Sequence, residues 1–209
     1  MLLETVCVGE LQVNCYILAS GEGEDAIIID PGSQPDKIKA VLQRHKLKPA
    51  FVINTHGHFD HIGADDDFGV PVLAHSNDAP LLKDPCLNLS AFFAPAPVRV
   101  ASEVREVNNH EMIALDDIQL EVLEVPGHSP GGMALLLKSP GKQMVFTGDS
   151  LFCRGIGRTD FPGASGEMLI DAIRKNLLVL NDDTVIYPGH GPSSTIGQEK
   201  AGNQFLYDA

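Results

Sequence analysis

Positions 56–61 carry three imidazoles and a carboxylate: His56, His58, Asp60 and His61. Neutral imidazole nitrogens and carboxylate oxygens are the donors that zinc, iron and manganese accept. A lone histidine is usually a surface or hydrogen-bonded core residue, but three with an aspartate in one loop point to a metal. Further polar signals follow, each in a glycine-bearing turn: His128 in Pro126-Gly127-His128-Ser129-Pro130, Asp149 in Thr147-Gly148-Asp149 and His190 in Pro188-Gly189-His190-Gly191. Glycines there fit a backbone that must bend tightly to aim a side chain inward. Two metals about 3.5 Å apart need terminal ligands on each side and a bridging anion. His56, His58 and His128 would supply one ion and Asp60, His61 and His190 the other, while Asp149 places an oxygen on each. A bridging hydroxide, formed near neutral pH because the metals stabilise it, makes a nucleophile without a catalytic Ser or Cys. His45, His75 and His110 have no glycine setting and read as surface residues.

Something must position these groups. Leu2–Val8 and Val13–Leu18 are short apolar runs separated by a turn, and Ala26–Ile29 is a buried strand ending in Asp30-Pro31-Gly32. Helical spacing places Ile38, Val41 and Leu42 on one side of Asp36–His45. The strand Phe51–Asn54 delivers the histidine cluster, with a helix start expected at Ile62-Gly63 and another strand at Val70–Leu73. Segment 83–98 is punctuated by proline, lacks a period, and carries Phe92 and Phe93, which suggests a lid. In the second half, Ile118–Val125, Ala134–Leu137, Met144–Phe146 and Thr184–Tyr187 read as strands. Glu167–Leu180 reads as a helix, apolar at Met168, Ile170, Ile173, Leu177 and Leu180. Strands and helices intermix throughout, so the expected fold class is α/β, with two packed sheets and outer helices in one domain spanning 1–209.

Composition narrows the function. The chain has 209 residues, 44% hydrophobic and 21% charged, enough for a sizeable core. No apolar run is long enough for a transmembrane helix, and the N-terminus lacks the regions of a signal peptide. A net charge of −13 argues against a nucleic-acid partner. Cys7, Cys15, Cys86 and Cys153 show no paired C-x-x-C spacing, which fits a reducing, cytoplasmic setting. Nothing in the sequence specifies an oligomeric state.

Thr55-His56-Gly57-His58-Phe59-Asp60-His61-Ile62-Gly63, Pro126–Gly131, Thr147–Phe152 and Tyr187–Gly191 resemble the metallo-β-lactamase superfamily in order and approximate spacing. The likeness runs from Asn14 to Phe205. It is strongest to the glyoxalase II (hydroxyacylglutathione hydrolase) branch, because Gly157-Arg158-Thr159-Asp160-Phe161-Pro162 is similar to the segment that follows the bridging aspartate there. The resemblance implies a four-layer αβ/βα sandwich with the metal site along one edge, and the same seven ligands. Asp30 matches an aspartate that supports the site from behind. Arg158 falls where long members use a lysine near the thiol substrate's carboxylate, although an arginine there equally suits bracing the loop. True β-lactamases would have Cys where Asp149 stands and no third histidine at His61, and flavodiiron members put Glu at His58. Only Thr195–Leu206 follows as a helix, so the chain looks like the short, single-domain form.

The resemblance implies hydrolysis of a small-molecule thioester, first of all of the S-lactoylglutathione type, using two divalent ions. Zinc comes first among these, with iron and manganese as alternatives. Asp149 would bridge, and Asp60 is the candidate for taking the nucleophile's proton besides being a ligand. His128, Asp149 and one of His56 or His58 also resemble a two-His-one-carboxylate iron site. That keeps a persulfide dioxygenase as the alternative, along with other metallo-hydrolases such as a lactonase. A metal-binding module without turnover is the remaining reading.

Overall fold

The computed structural model describes residues 1–138 and 143–207. Two six-stranded sheets dominate it. The first contains β1 (Leu2–Val8), β2 (Val13–Ala19), β3 (Asp25–Ile29), β4 (Lys48–Ile53), β5 (Val72–His75) and β6 (Val104–Val107), paired in that order. β1 to β3 are antiparallel, and β3 to β6 run parallel. The second begins with β7 (Met112–Leu115), β8 (Ile118–Glu124), β9 (Met133–Leu137) and β10 (Met144–Gly148). A two-strand hairpin, β11 (Leu151–Phe152) and β12 (Gly155–Ile156), follows before β13 (Val185–Pro188) and β14 (Ser194–Thr195) complete the order β14-β13-β10-β9-β8-β7.

Side-chain alternation along β2 shows how the layers form. Cys15, Ile17 and Ala19 pack outward with Ile28, Val52, Ile38 and Leu42, the last two one helical turn apart on α1 (Pro35–Arg44). Tyr16 and Leu18 point the other way, meeting Leu120, Val122, Leu135 and Phe146 of the second sheet. On that sheet's far side, Leu123, Ala134, Val145 and Ile186 pack against Leu169, Ile173 and Leu177. Both sheets are therefore buried on both faces, which is why their central strands read as apolar runs rather than as polar alternation. The architecture is a four-layer αβ/βα sandwich. Truncating a buried leucine such as Leu120 costs about 2–5 kcal/mol in cores of this kind.

Several boundaries differ from the expectations. The helix beside the histidine cluster is α2 (Phe59–Ile62), which ends at Gly63 instead of starting there. It thus carries Asp60 and His61 itself. The strand expected at Val70–Leu73 lies at Val72–His75, where pairing with β6 continues to Val107. His75 is consequently buried, not at the surface. His45 is half-buried against Glu4 and Glu22, whereas His110 is exposed. β6 and β7 are short and half-exposed, and their weak patterning left them unread. Helix α3 (Ala79–Lys83) was likewise not anticipated. Segment 83–98 contains a single helical turn, α4 (Ser90–Phe93), with Phe92 and Phe93 both exposed.

The expected Glu167–Leu180 helix is α5 (Gly166–Ala172), capped by the Ser165 hydroxyl, running into a π turn over Ile173–Leu177. Its buried stripe is Leu169, Ala172, Ile173 and Leu177. Met168, one position from that stripe, is exposed rather than in the core. Near the C-terminus, α6 (Ile196–Gly202) stops at Asn203, and a 3-10 turn carries Gln204–Leu206. Glu199 on α6 is fully buried and accepts the Arg154 N–H and the Asn203 amide, tying α6 to the β11–β12 turn. No helix among the described residues is long and apolar enough to cross a membrane.

Candidate metal centre

Each group expected at the site leaves the end of a strand. His56 and His58 follow β4, Asp60 and His61 sit on α2 immediately afterwards, His128 lies in the β8–β9 connection, Asp149 follows β10 and His190 follows β13. Four connections from two sheets thus open onto one edge of the sandwich.

Backbone pairing holds them in register. The Met133 N–H donates to the Thr55 carbonyl, stitching the β8–β9 connection to the histidine loop. The Asn14 amide group donates to the carbonyls of Pro188 and Gly191, and the Asn14 N–H to Gly189. The Tyr16 hydroxyl donates to the Pro188 carbonyl at 2.6 Å. The first sheet therefore grips the turn that presents His190. At Gly148 φ is +49°, and a β-carbon there would overlap the Thr55 hydroxyl. Glycine is needed for this approach of the two loops.

All seven side chains meet. Ligand-type atoms of His56, His58 and His128 lie within 4.8 Å of one another, as do those of Asp60, His61 and His190. A third such group joins His56, His61 and Asp149. Asp149 faces both sides, with Oδ1 3.4 Å from His61 Nε2 and Oδ2 3.7 Å from His128 Nε2 and 3.5 Å from His190 Nε2. Asp60 Oδ2 lies 3.5 Å from His190 Nε2.

Hydrogen bonds behind the cluster choose which nitrogen looks inward. His128 Nδ1 donates to the Arg158 carbonyl at 2.8 Å, leaving a lone pair on Nε2. His190 Nδ1 donates to the Leu11 carbonyl at 2.9 Å, with the same consequence. The inward nitrogens crowd together: His58 Nδ1 is 2.9 Å from His128 Nε2, and His61 Nε2 is 3.4 Å from His190 Nε2. Meanwhile His56 Nε2 and Asp149 Oδ1 are buried with no hydrogen-bond partner. Buried polar atoms are almost always satisfied, and converging lone pairs behind fixed tautomers are what a metal centre requires.

Electrostatics divide the cluster in two. Burial, reinforced by His61 and His58, drives the His56 pKa well down. Burial, with His128 beside it, pulls His58 to about 3. These rings are neutral donors. In the other half burial opposes the charged forms, yet ion pairing prevails. Asp149, Asp60 and Asp30 raise His61 well above the imidazole range, and His61, His190 and His128 hold Asp149 below the carboxylate range. One half thus offers neutral nitrogen, and the other draws positive charge. Both properties fit a pair of divalent cations on these donors.

Asp30 sits behind them at φ +50°. Its carboxylate accepts the Thr55 N–H at 2.7 Å and the Thr55 hydroxyl at 2.6 Å, and Oδ2 is 3.1 Å from His61 Nδ1. Arg158 lines the adjoining cavity, but its guanidinium donates twice to Asp160, at 2.7 and 2.8 Å. It also lies 4.0 Å from the centre of the Phe161 ring. The guanidinium is thus placed to brace its loop while it still faces the cavity.

Asp78 escaped the sequence reading. Buried beneath the cluster, it accepts the Gly57 N–H at 2.9 Å, the Ser129 hydroxyl at 2.7 Å and the Gly131 N–H at 2.6 Å. The only signal was an aspartate before Ala79-Pro80, which resembles an ordinary helix cap.

Comparison with known proteins agrees with this geometry. The sequence pattern of the metallo-beta-lactamase superfamily matches residues 8–190. An uncharacterized protein of Mycobacterium tuberculosis is 41% identical across 99% of this chain and 98% of its own length. The hydroxyacylglutathione hydrolase GloC of Haemophilus influenzae is 37% identical across 99% and 98%. Among solved structures, the B3 metallo-beta-lactamase BLEG-1 superposes with a TM-score of 0.91 at 34% identity, covering 99% of this chain and all of that one. TTHA1623 in a di-iron-bound form gives 0.84 at 36%, covering 97% and 100%. ETHE1 from Myxococcus xanthus gives 0.79 at 27%, covering 98% and 84%. In fold, in sequence pattern and in near-full-length relatives, the chain belongs to the metallo-β-lactamase superfamily.

Proposed function

We propose that this protein is a binuclear metal-dependent hydrolase that cleaves thioesters, with S-lactoylglutathione as its first test substrate. The observation that carries the reading is Asp149, whose carboxylate lies between the two groups, 3.7 Å from His128 of one and 3.4 and 3.5 Å from His61 and His190 of the other. His56, His58 and His128 would hold one ion; Asp60, His61 and His190 the other; Asp149 would touch both. Divalent ions bound there supply Lewis acidity to an acyl oxygen and bring the pKa of water toward neutrality.

The chain's own groups do the rest. Asp60, which lines the cavity, takes a proton as water oxygen bonds to the acyl carbon. The carbon–sulfur bond then breaks, and the sulfur leaves as thiolate. A thiol of pKa about 8.5 needs no strong acid to depart, and the site offers none. Phe161 stands 5.5 Å from the His58 ring and 6.5 Å from that of His128, shielding the reacting centre from bulk water. The similarity to GloC supports the choice of substrate.

Release of free thiol from S-lactoylglutathione by purified protein, followed with a thiol dye, tests the reading. A β-lactam and a lactone belong in the same panel, and elemental analysis identifies the metal. A single-iron persulfide dioxygenase would use one facial trio and leave Asp60, His61 and His190 without a task. Oxygen uptake with glutathione persulfide at one iron per chain would reassign the enzyme to that reaction.

A further inference from the structure

Beside the metal-ligand cluster lies a cavity of about 1020 Å³, at the upper end of sizes that enclose a small organic ligand. Three segments form its walls: Leu11 from the β1–β2 loop, Phe93 and Val98 from segment 83–98, and Phe152, Ile156 and Phe161 from around the β11–β12 hairpin. Phe93 and Phe161 are 6.1 Å apart, centre to centre. Apart from the imidazoles of the cluster, Arg158 supplies the cation among the lining side chains, and Glu10 adds an anion.

That cation is already engaged. The Nε–Nη2 edge of Arg158 donates to Asp160, and its flat face rests on Phe161. A substrate carboxylate would be left only the remaining N–H groups of Arg158 and would share the neighbourhood with the carboxylates of Asp160 and Glu10. The protein as a whole carries a charge of −13, so the long-range field also opposes an anion. An apolar thiol portion meets no such opposition and covers the aromatic wall.

We infer that the cavity selects thioesters whose thiol portion is uncharged and apolar over those of glutathione, with the Arg158–Asp160 pair acting as the barrier to carboxylates. The inference rests on the thioester reading above and deepens it by assigning the leaving-group class.

The test holds the acyl group constant. Lactoyl thioesters of glutathione, N-acetylcysteamine and butanethiol are compared by kcat/KM using the metal-loaded enzyme. We expect the neutral thiols to exceed glutathione by at least tenfold, and butanethiol to lead. Parity or a preference for glutathione overturns the inference. Binding is measured separately by calorimetry with two inert thioethers, S-hexylglutathione and N-acetyl-S-hexylcysteamine, where the neutral compound should bind at least tenfold tighter. If none of the three thioesters is hydrolysed but the neutral thioether still binds tighter, the reaction assignment fails and the selectivity stands. If the thioesters are hydrolysed and the thioethers bind equally, the selectivity fails alone. Asp160→Asn should lower KM for the glutathione thioester several-fold and leave that of the butanethiol thioester unchanged. An unchanged glutathione KM removes Asp160 from the barrier.

Discussion

The Asp78 carboxylate accepts the Gly131 N–H at 2.6 Å while its other oxygen holds the Gly57 N–H, so one side chain joins loops from the two sheets. Gly57 separates His56 from His58, and Gly131 follows His128 closely. The three imidazoles of one half therefore share a single buried anchor, at which burial raises the carboxyl pKa against the three hydrogen bonds that lower it.

Asp78→Ala strands two backbone N–H groups and the Ser129 hydroxyl. An unsatisfied buried donor costs about 1–3 kcal/mol, so with three of them urea unfolding should show a loss of at least about 3 kcal/mol. Metal affinity should fall by about 10- to 100-fold, as for other groups that orient ligands. Asp78→Asn does not rescue it fully, because its amide faces a donor. A variant with wild-type stability and metal content would contradict the anchor role.

His58→Ala removes a donor outright. Turnover should drop by more than the 10- to 100-fold typical of losing a group behind the ligands, while circular dichroism changes little. Wild-type hydrolysis by this variant would remove His58 from the site.

Metal removal tests the same centre through stability. A ligand present at a hundred times its dissociation constant adds about 2.7 kcal/mol. For a chain this long, chelation should lower the melting temperature by roughly 5–10 °C, and added zinc or iron should restore it. An unchanged melting temperature counts against a built-in pair.

Asp65 gives a pH dependence. It is fully buried, with one oxygen 3.1 Å from the Asn54 amide and the other lacking a hydrogen-bond partner. Burial raises its pKa well above the usual carboxylate value, with Asn54 only partly opposing. The folded protein therefore keeps a proton that the unfolded chain releases. Stability is lost as pH rises from the ordinary carboxylate pKa toward the raised one, by about 1.4 kcal/mol per pH unit across that interval. Asp65→Asn abolishes the loss. Urea midpoints measured from pH 4 upward should diverge in favour of the variant; parallel curves would contradict this.

Gly148→Ala should cost about 1–3 kcal/mol. Its φ of +49° suits glycine, and the added methyl would displace the Thr55 hydroxyl from Asp30. Reduced metal content should accompany the loss, as measured by elemental analysis.

The local code of the chain marked the groups that meet at one edge of the sandwich and where the strands that deliver them end. Imidazoles, carboxylates and flanking glycines are rare enough together that composition and spacing revealed them. Apolar runs such as Ile27–Ile29 announced strands buried on both faces. Tertiary structure alone decided the rest: Asp78 beneath Gly57 and Gly131, His75 inside rather than outside, and Met168 in solvent while Leu169 takes the core. Asp78 and Ser129 meet across 51 positions, and no pattern within a helical turn or a strand records such a contact. Propensity acts between near neighbours, whereas the partner of a buried charge is set by which surfaces the packed sheets bring together.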